Sequence, residues 1–560
     1  MNKKYFIYLI GMMLITFFII PACSLKEEIK DAYTPSVIQA DPNLLQNVVA
    51  APLGQLRNLW WRQSVWGQEE CTTDECFYPT RGTDWGDGGV WVQNYTLTWT
   101  PLSRDVIGTW NNLTTAISSC NTAIANIGLK KPNELLEYTH YRSQAMFLRC
   151  LYEYYMLDLY RVYPSRDPFS TDFTSAPAIN TGASAFYKLV ANVKATVPDM
   201  ISRSNAQYGQ PTMDAGNMLL AKLYLNEEVY TGNLNNGIFT KGVAGYDSAL
   251  IYLNLLISSG NYGLASNYFN MFSVDNYSNY KKPGDEGILV CIFNDDQNYG
   301  VDDNVQWVKT TFHYNQNLGS TFANWNGACT PTCYLNNTWF AAGATDTTKD
   351  MRWRDSSIYP AMGVVLGFNY GQQYDAKTHA ILKDRQKHNL VFTFDVALYT
   401  TAKNPVTGYS DPTPTEIQGV RVLKYPPRVV PVNIARCPND FLIWRYADAL
   451  LMKAECLVRG TQKDVGGAVA LVNQIRTTRN APIISASSVS DILNKIYIER
   501  GLELYWEGHR RQDMIRFGTF LVSKDADKNT TSPDWSMVMP IPLAAITGTP
   551  GGVLKQNYGY

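Results

Sequence analysis

The chain has 560 residues, which is enough for about two to four average domains or for one large domain with insertions. Its 48 Lys and Arg against 49 Asp and Glu leave a net charge of -1, so no electrostatic feature favours a nucleic-acid partner. Aromatic residues make up 13% of the chain, and rings beyond those needed for a core would suit a ligand with flat apolar faces.

The N-terminus has the pattern of a targeting segment. Lys3 and Lys4 form a basic start, and the apolar run over residues 5–20 is shorter than the roughly 20 residues that a comfortable membrane span needs. Residues 20–23 resemble a bacterial lipobox, in which the cysteine is acylated. We therefore expect a signal peptide over residues 1–22 and a lipid on Cys23. The alternative is a plain secretory signal with an incidental cysteine.

Nine cysteines remain after Cys23. The only close pairs are Cys71 with Cys76 and Cys329 with Cys333, and neither has a histidine at zinc-finger spacing. The sequence therefore predicts no metal site, and it carries no cofactor motif. Each pair could form a local disulfide in an exported protein or stay as thiols.

The N-terminal half alternates between helical and irregular patterns. Residues 43–61 are compatible with a helix, whereas residues 62–101 lack a sustained period and predict a long ordered loop. The next helix and a second one over about residues 134–160 would form an antiparallel pair of the tetratricopeptide kind. Further helices are predicted around residues 185–201, 212–230 and 246–257. The first helix of the pair is predicted from apolar residues that step by three and four: Trp110, Leu113, Ile117, Cys120, Ile124 and Ile127.

The helical period disappears over about residues 268–436. Asn, Tyr, Thr, Asp and Gly dominate this segment, and Asn and Gly favour turns over regular structure. We expect loops, short strands and brief helices that rest on the helical body. A segment of this length inside one domain usually has a functional reason.

The helical period returns at Asp440, and a charged segment follows over residues 499–518. Glu499, Glu503 and Glu507 recur every four residues, so on one helix they would share a face and repel one another unless cations intervene. Four arginines in the segment could hold these carboxylates. A metal or acid–base cluster is the weaker interpretation, because the arginines would keep the carboxylates ionised and repel a metal cation. The arginines are Arg500, Arg510, Arg511 and Arg516.

The charged segment closely resembles the C-terminal signature of the SusD/RagB family, E-R-x-x-E-L-x-x-E-G-x-R-x-x-D-x-I-R-x-G. Residues 444–455 resemble the R-Y-A-D-x-L-L-M-x-A-E helix of that family, and residues 539–542 and 556–560 resemble its closing motifs. Residues 544–546 depart from the family pattern. In the family the signature is a structural element, so it identifies the scaffold and not the ligand.

The resemblance implies a mainly α fold with a tetratricopeptide-like helical-repeat scaffold and a large loop-rich insertion that carries the binding face. We expect one domain over residues 23–560. It would comprise a repeat half over residues 23–267, the insertion over residues 268–437, and C-terminal helices with the signature over residues 438–560.

Two loop stretches combine aromatic rings, which stack on sugar C–H faces, with side chains that bond hydroxyl groups. The resemblance implies that a glycan site forms where N-terminal loops meet the central insertion. For each ring, packing into the loop's own small core is the alternative. Asp87, Asn298, Tyr314 and Trp339 belong to the same stretches. The candidate ligand residues are Arg81, Asp84, Trp85, Trp91, Tyr299, Trp307, Asn324, Trp325 and Asn326.

The resemblance implies a lipid-anchored protein on the outer face of the outer membrane that binds oligosaccharide or polysaccharide and hands it to a SusC-like TonB-dependent transporter, without catalysis. Residues 24–28 are similar to the signal that sends Bacteroidetes lipoproteins to the cell surface. One alternative is a peptide-binding member of the family. A surface glycoside hydrolase that uses Asp84 with Asp87, or Asp302 with Asp303, is less favoured, as is a repeat module that binds only proteins.

Overall fold

A computed structural model describes residues 33–81, 84–172, 174–293, 310–316, 324–356, 364–375, 378–396, 399–400, 416–426, 438–522 and 531–560. The predicted signal peptide, Cys23, Tyr299 and Trp307 lie outside these residues.

Helices dominate the described residues, which confirms the predicted mainly α fold class. None of the helices in this part of the chain is long and apolar enough to cross a membrane. The α-helices are α1 (Pro35–Ile38), α2 (Leu45–Leu59), α3 (Val65–Glu70), α4 (Val90–Thr96), α5 (Arg104–Ile127), α6 (Leu136–Tyr160), α7 (Gly182–Thr196), α8 (Met213–Leu225), α9 (Glu227–Tyr230), α10 (Tyr246–Ser258), α11 (Thr332–Asn337), α12 (Tyr446–Arg459), α13 (Val465–Thr478), α14 (Val489–Leu504), α15 (Arg510–Phe517) and α16 (Leu543–Gly548).

The strands are short and form sheets of two or three strands. They are β1 (Thr80–Arg81), β2 (Val162–Ser165), β3 (Ala178–Thr181), β4 (Asn233–Asn235), β5 (Ile238–Thr240), β6 (Gly287–Cys291), β7 (Arg354–Asp355), β8 (Leu366–Asn369), β9 (Gly371–Gln372), β10 (Val391–Phe392), β11 (Tyr399–Thr400), β12 (Arg421–Leu423) and β13 (Phe441–Arg445).

The long helices pack in a continuous stack. Helix α5 packs on α6, α7 contacts both α6 and α8, α8 packs on α10, and α10 packs on α12, which also contacts α13 and α14. All six apolar residues of the predicted stripe on α5 are buried in this stack. Burial of such stripes is the main source of helix stability in a protein of this kind.

Two short helices lie where the sequence predicts only a loop over residues 62–101. All six residues of α3 are buried, including Gln68, Glu69 and Glu70. A helix that is buried all round has no alternation of polar and apolar faces, so its period could not be seen in the sequence. The prediction of a loop without helices is therefore wrong at α3 and α4.

The helix predicted to begin at Asp440 begins later. Residues 441–445 form β13, which pairs antiparallel with β6 of the central segment, and α12 follows at Tyr446. All five residues of β13 are buried, and a continuous apolar run reads equally well as a buried strand or a buried helix. This pairing ties the segment over residues 268–437 to the C-terminal helices. The described part of that segment holds short strands, 3-10 turns and the six-residue helix α11.

The signature forms two helices instead of one. Helix α14 ends at Leu504 and α15 begins at Arg510, and the turn between them holds Trp506 at φ +60° and Gly508 at φ +82°. Glu507 therefore lies outside the helix that carries Glu499 and Glu503. The expectation that all three glutamates share one helical face is wrong for Glu507.

Buried arginines hold the signature glutamates, but these arginines come from outside the segment. The prediction that Arg500, Arg510, Arg511 and Arg516 hold them is wrong, because those four pair with aspartates and with Glu455. Glu503 contacts Arg352 at 3.0 Å, Arg445 at 2.6 Å and Arg479 at 2.8 Å, and all four side chains are fully buried. Burial would raise the pKa of Glu503, but the three guanidinium groups lower it well below its usual range. Glu507 is held in turn by Arg445. These ion pairs fix the signature to the rest of the scaffold.

The first close cysteine pair is adjacent in the fold but not bonded. The Sγ atoms of Cys71 and Cys76 lie 4.0 Å apart, and both residues are buried. In the second pair, Cys329 is buried and Cys333 is half-buried. Burial raises the pKa of the Cys76 thiol well above its ordinary value, so the thiol is kept protonated and unreactive.

Candidate functional site

A group of tryptophan rings forms where the loops after α2 and β1 meet the central segment. We call Trp61, Trp85 and Trp325 the tryptophan cluster. The indole Nε1 of Trp85 donates to the carbonyl oxygen of Trp325 at 2.8 Å, and the two ring centroids lie 6.3 Å apart. All three rings are half-buried, so part of each is exposed to solvent.

The backbone conformation directs the Trp85 ring into this cluster. Trp85 adopts φ +58°, a left-handed conformation that bulky residues rarely take, and its neighbour Asp84 pairs with Arg81 through two backbone hydrogen bonds. The Trp85 ring also lies 4.8 Å from the buried ring of Tyr78 and over Gly327, where a Cβ atom would meet the indole. The strained turn is thus held by packing on both sides.

A guanidinium group occupies the centre of the tryptophan cluster. The Cζ atom of Arg62 lies 4.8 Å from the Trp61 ring centroid, 5.1 Å from that of Trp325 and 5.9 Å from that of Trp85. Cation–π attraction at these distances orients the rings around the cation. Burial lowers the pKa of Arg62, with Arg104 acting in the same direction, yet an arginine stays charged at physiological pH.

A polar network borders the tryptophan cluster on the side of Asp84. Its carboxylate accepts a hydrogen bond from the Tyr314 hydroxyl, and Nη2 of Arg385 lies 3.2 Å from the same oxygen. The Arg385 guanidinium also stacks on the Tyr314 ring at 4.6 Å. Arg385 and Asp84 are 52% and 34% exposed at their side chains, so both can exchange water for a ligand hydroxyl.

Glu416 connects Arg385 of this network to the buried His313. It pairs with Arg385 and accepts from His313 Nε2 at 2.8 Å. Burial alone would raise the pKa of Glu416, but the hydrogen bonds from His313 and Arg385 lower it to about 2. Burial lowers the pKa of His313, so the imidazole is neutral at neutral pH. The carboxylate is therefore charged and keeps Arg385 in place over the Tyr314 ring.

Four of the candidate residues are buried and hold loops together. The guanidinium of Arg81 donates to the carbonyl oxygens of Gly327 at 3.3 Å and Gln418 at 2.9 Å. Asn326 accepts from Arg421 at 2.8 Å, and the amide of Asn324 donates to Gln316. None of these side chains has surface that a ligand could touch. The four are Arg81, Trp91, Asn324 and Asn326.

Trp91 is the clearest case of a ring that packs into the protein. Its Nε1 donates to Asp87 at 2.6 Å, and its ring lies between Tyr78 and the guanidinium of Arg104. Trp339, from the second loop stretch, is also buried, against Trp353. For these rings the alternative interpretation, a small core within the loops, is the one that the structure supports.

The sequence alone gives little sign of three of the site residues. Trp61 and Arg62 follow the end of α2, where the Trp60-Trp61-Arg62 run is the only signal. Arg385 lies in a polar stretch without a motif, more than 300 residues from Asp84. The described residues contain no group of three or more His, Cys, Asp or Glu that could hold a metal ion.

Comparisons with known proteins agree with the fold and the signature. The family model described as the SusD family matches residues 257–560. The starch-binding protein SusD of Bacteroides thetaiotaomicron is 25% identical over 524 residues, which cover 88% of this chain and 84% of that protein.

Two solved structures show the same fold. A SusD superfamily protein from Parabacteroides distasonis aligns with a TM-score of 0.66 at 17% identity, over 92% of this chain and 99% of that one. Surface glycan-binding protein A from Bacteroides thetaiotaomicron, solved in complex with laminarihexaose, aligns with a TM-score of 0.64 at 18% identity and the same coverage. The match of the family model over more than half of the sequence shows that the chain belongs to the SusD family.

Proposed function

We propose that the protein binds an oligosaccharide or polysaccharide at the tryptophan cluster. The observation that carries this proposal is the pairing of half-exposed Trp85 and Trp325 rings with the exposed polar pair of Asp84 and Arg385. Each hydrogen bond to a sugar hydroxyl replaces one with water and contributes only about 1 kcal/mol, so the ring faces must supply much of the affinity.

The names of the relatives support carbohydrate as the ligand class. One is a starch-binding protein, and one was solved with a bound laminarihexaose. Starch and laminarin are therefore the first glycans to test. Peptide binding is the second candidate within the family.

The finer parts of the proposal concern location and transfer. We infer that Cys23 carries a lipid, that the protein lies on the outer surface of the outer membrane, and that it delivers glycan to a SusC-like TonB-dependent transporter. A binder that must release its ligand inward needs moderate affinity, which a few stacked rings and exposed hydrogen bonds provide. We infer no catalysis, because arginines beside Asp84 and Asp87 disfavour the protonated acid that a glycosidase needs. Asp302 and Asp303 lie outside the described residues.

Affinity electrophoresis tests the ligand class. The purified protein should migrate more slowly in gels that contain starch or laminarin than in gels without glycan, relative to an inert marker. Incubation with the same glycans should release no reducing ends. Binding to a peptide mixture without retention by any glycan in a broad panel would contradict the proposal, and new reducing ends would show a hydrolase.

A further inference from the structure

A cavity elsewhere in the fold shares no residue with the tryptophan cluster. It has a volume of about 160 Å³ and lies between the β4–β5 hairpin, the C-terminal end of α6 and the C-terminal tail. This volume is close to that of a cavity that holds one benzene ring. The cavity therefore has room for a single six-membered ring.

Aromatic rings form much of its wall. Trp535 stands edge to face with Tyr560 at 4.8 Å, and Gly559 lies so close that any Cβ atom there would collide with the indole. Both contacts fix the Trp535 ring in place from the side of the tail. Tyr230, Phe239 and the 54% exposed Tyr558 also line the cavity.

Polar groups of the same wall keep unused hydrogen-bonding capacity. Asp534 accepts from the Phe239 amide through Oδ2 at 2.7 Å, and Asn557 donates both amide hydrogens to the carbonyl oxygens of Tyr160 and Met539. The Oδ1 atoms of Asp534 and Asn557 accept no hydrogen bond from the described residues. Arg161 donates through Nη1 to two helix carbonyls, and its other guanidinium nitrogens donate to no other described residue. The Arg161 guanidinium stacks on the Tyr230 ring at 4.8 Å.

This combination selects among ligand classes. A purely apolar ring would leave the acceptors and the Arg161 donors without partners on partly buried atoms, at a cost for each. An anion would face the carboxylate of Asp534. A neutral sugar ring offers C–H faces to Trp535 and Tyr558, and its hydroxyl groups can both donate to the Oδ1 atoms and accept from Arg161.

We propose that this cavity is a second carbohydrate subsite, which takes one neutral monosaccharide unit, either free or at the end of a chain. Its ligand class rests on the proposed function, whereas its location does not. A glycan could then be held at two separate points of the surface. Two weak contacts on one polymer raise the overall retention well above that of either contact alone.

The test is saturation-transfer NMR with D-glucose, D-galactose and D-mannose on the full mature protein. The protein should carry Trp85→Ala and Trp325→Ala, so that any sugar signal comes from outside the tryptophan cluster. At least one of the three sugars should give a signal. Tyr558→Ala removes a stacking face and should weaken the binding of that sugar about tenfold. Leu234→Trp, which fills the cavity, should abolish the signal. Tyr277→Ala removes a tyrosine of similar exposure, 55%, and should change nothing.

No sugar signal in the background protein, or a signal that Tyr558→Ala and Leu234→Trp leave unchanged, would overturn the second subsite. If these variants instead abolish co-purification with a transporter while sugar signals persist, the cavity receives a protein side chain and the inference is wrong. Glycan retention by the protein without substitutions is measured separately by affinity electrophoresis. Failure of the proposed function and failure of this inference are thus distinguishable.

Discussion

At the scale of single residues, the site separates rings and polar groups that face solvent from those that hold the loops. Small or polar residues flank Trp85 and Trp325 in the sequence, which favours a free ring face at each of these two positions. The structure brings both into one cluster and leaves them half-exposed. Whether they touch a glycan stays a prediction, whereas Arg81 and Trp91 are buried and act through packing.

Glu416 carries a prediction about pH. The pKa of Glu416 is about 2 in the folded protein, below the usual value of about 4.3 for a glutamate. The ionised carboxylate therefore stabilises the fold fully above about pH 4.3, and this stabilisation is lost as the pH falls toward 2. Glu416→Gln should therefore lower the midpoint of thermal unfolding at pH 7, and the difference from the unsubstituted protein should shrink below about pH 4 and disappear near pH 2. The measurement is the difference in midpoint between the two proteins across this range. A difference that does not depend on pH would contradict the assignment of the carboxylate as the ionised partner of Arg385 and His313.

Asp84 and Tyr314 stand out in the sequence, but nothing in it indicates that they meet Arg385 and Glu416, for a physical reason. Asp84, Tyr314, Arg385 and Glu416 come from separate loops, and their contacts depend on the exact path of each loop. Loop positions follow no hydrophobic period, so no pattern in the chain joins them. The rings of Trp85 and Trp325 could be predicted more readily, because small or polar neighbours in the sequence indicate a free ring face.

At the scale of secondary structure, periodic helices were predictable and buried elements were not. The stripe from Trp110 to Ile127 predicted α5 within a few residues, because one face of that helix meets solvent. Helix α3 and strand β13 are buried on all sides, so the alternation that identifies an element is absent from both. The turn at Trp506 was missed because it interrupts a segment whose charges keep a four-residue spacing.

Removal of Asp513 from the α14–α15 unit is predicted to destabilise the fold. Asp513 accepts from Arg500 at 2.7 Å and from Arg516 at 2.7 Å, and all three side chains are buried. Asp513→Ala leaves two buried cations short of a partner and should cost about 3 to 5 kcal/mol in the free energy of unfolding. Chemical denaturation measures this cost.

Glycan retention by the folded fraction of Asp513→Ala should stay at the level of the unsubstituted protein, because the tryptophan cluster does not contact this unit. The control is Asp491→Ala, which removes a partly exposed i,i+4 pair with Lys495 and a hydrogen bond from the Ser487 amide, and should lower stability much less than Asp513→Ala does. Equal stability of the two variants would contradict the clamping role of the signature.

At the scale of the whole molecule, the stack of helices supports the loops that form the tryptophan cluster. The β6–β13 pairing and the ion pairs of the signature fasten the central segment to that stack. The fold class and family were therefore predictable from the helical periods and the charged signature. The ligand was not, because the signature residues are buried and hold the scaffold.

Attachment to the membrane is a prediction for the whole protein. Cys23→Ser removes the thiol that would carry the lipid, so the variant should move from the membrane fraction to the soluble fraction of cells that express it. Fractionation and immunoblotting measure this change, with Cys120→Ser as a control cysteine that is buried in α5. Unchanged partition of the Cys23 variant would show that the protein is held by something other than this lipid.

Glycan binding at the tryptophan cluster is open to a direct thermodynamic measurement. Isothermal titration calorimetry with maltohexaose and laminarihexaose, on the unsubstituted protein and on Trp85→Ala/Trp325→Ala, tests it most directly. Removal of two stacking faces should weaken binding about 10- to 100-fold, while the melting temperature falls by only a few degrees because the rings are half-exposed. Tyr277→Ala should retain full affinity. Undiminished affinity of the double variant, or a loss of binding that accompanies general unfolding, would contradict the account.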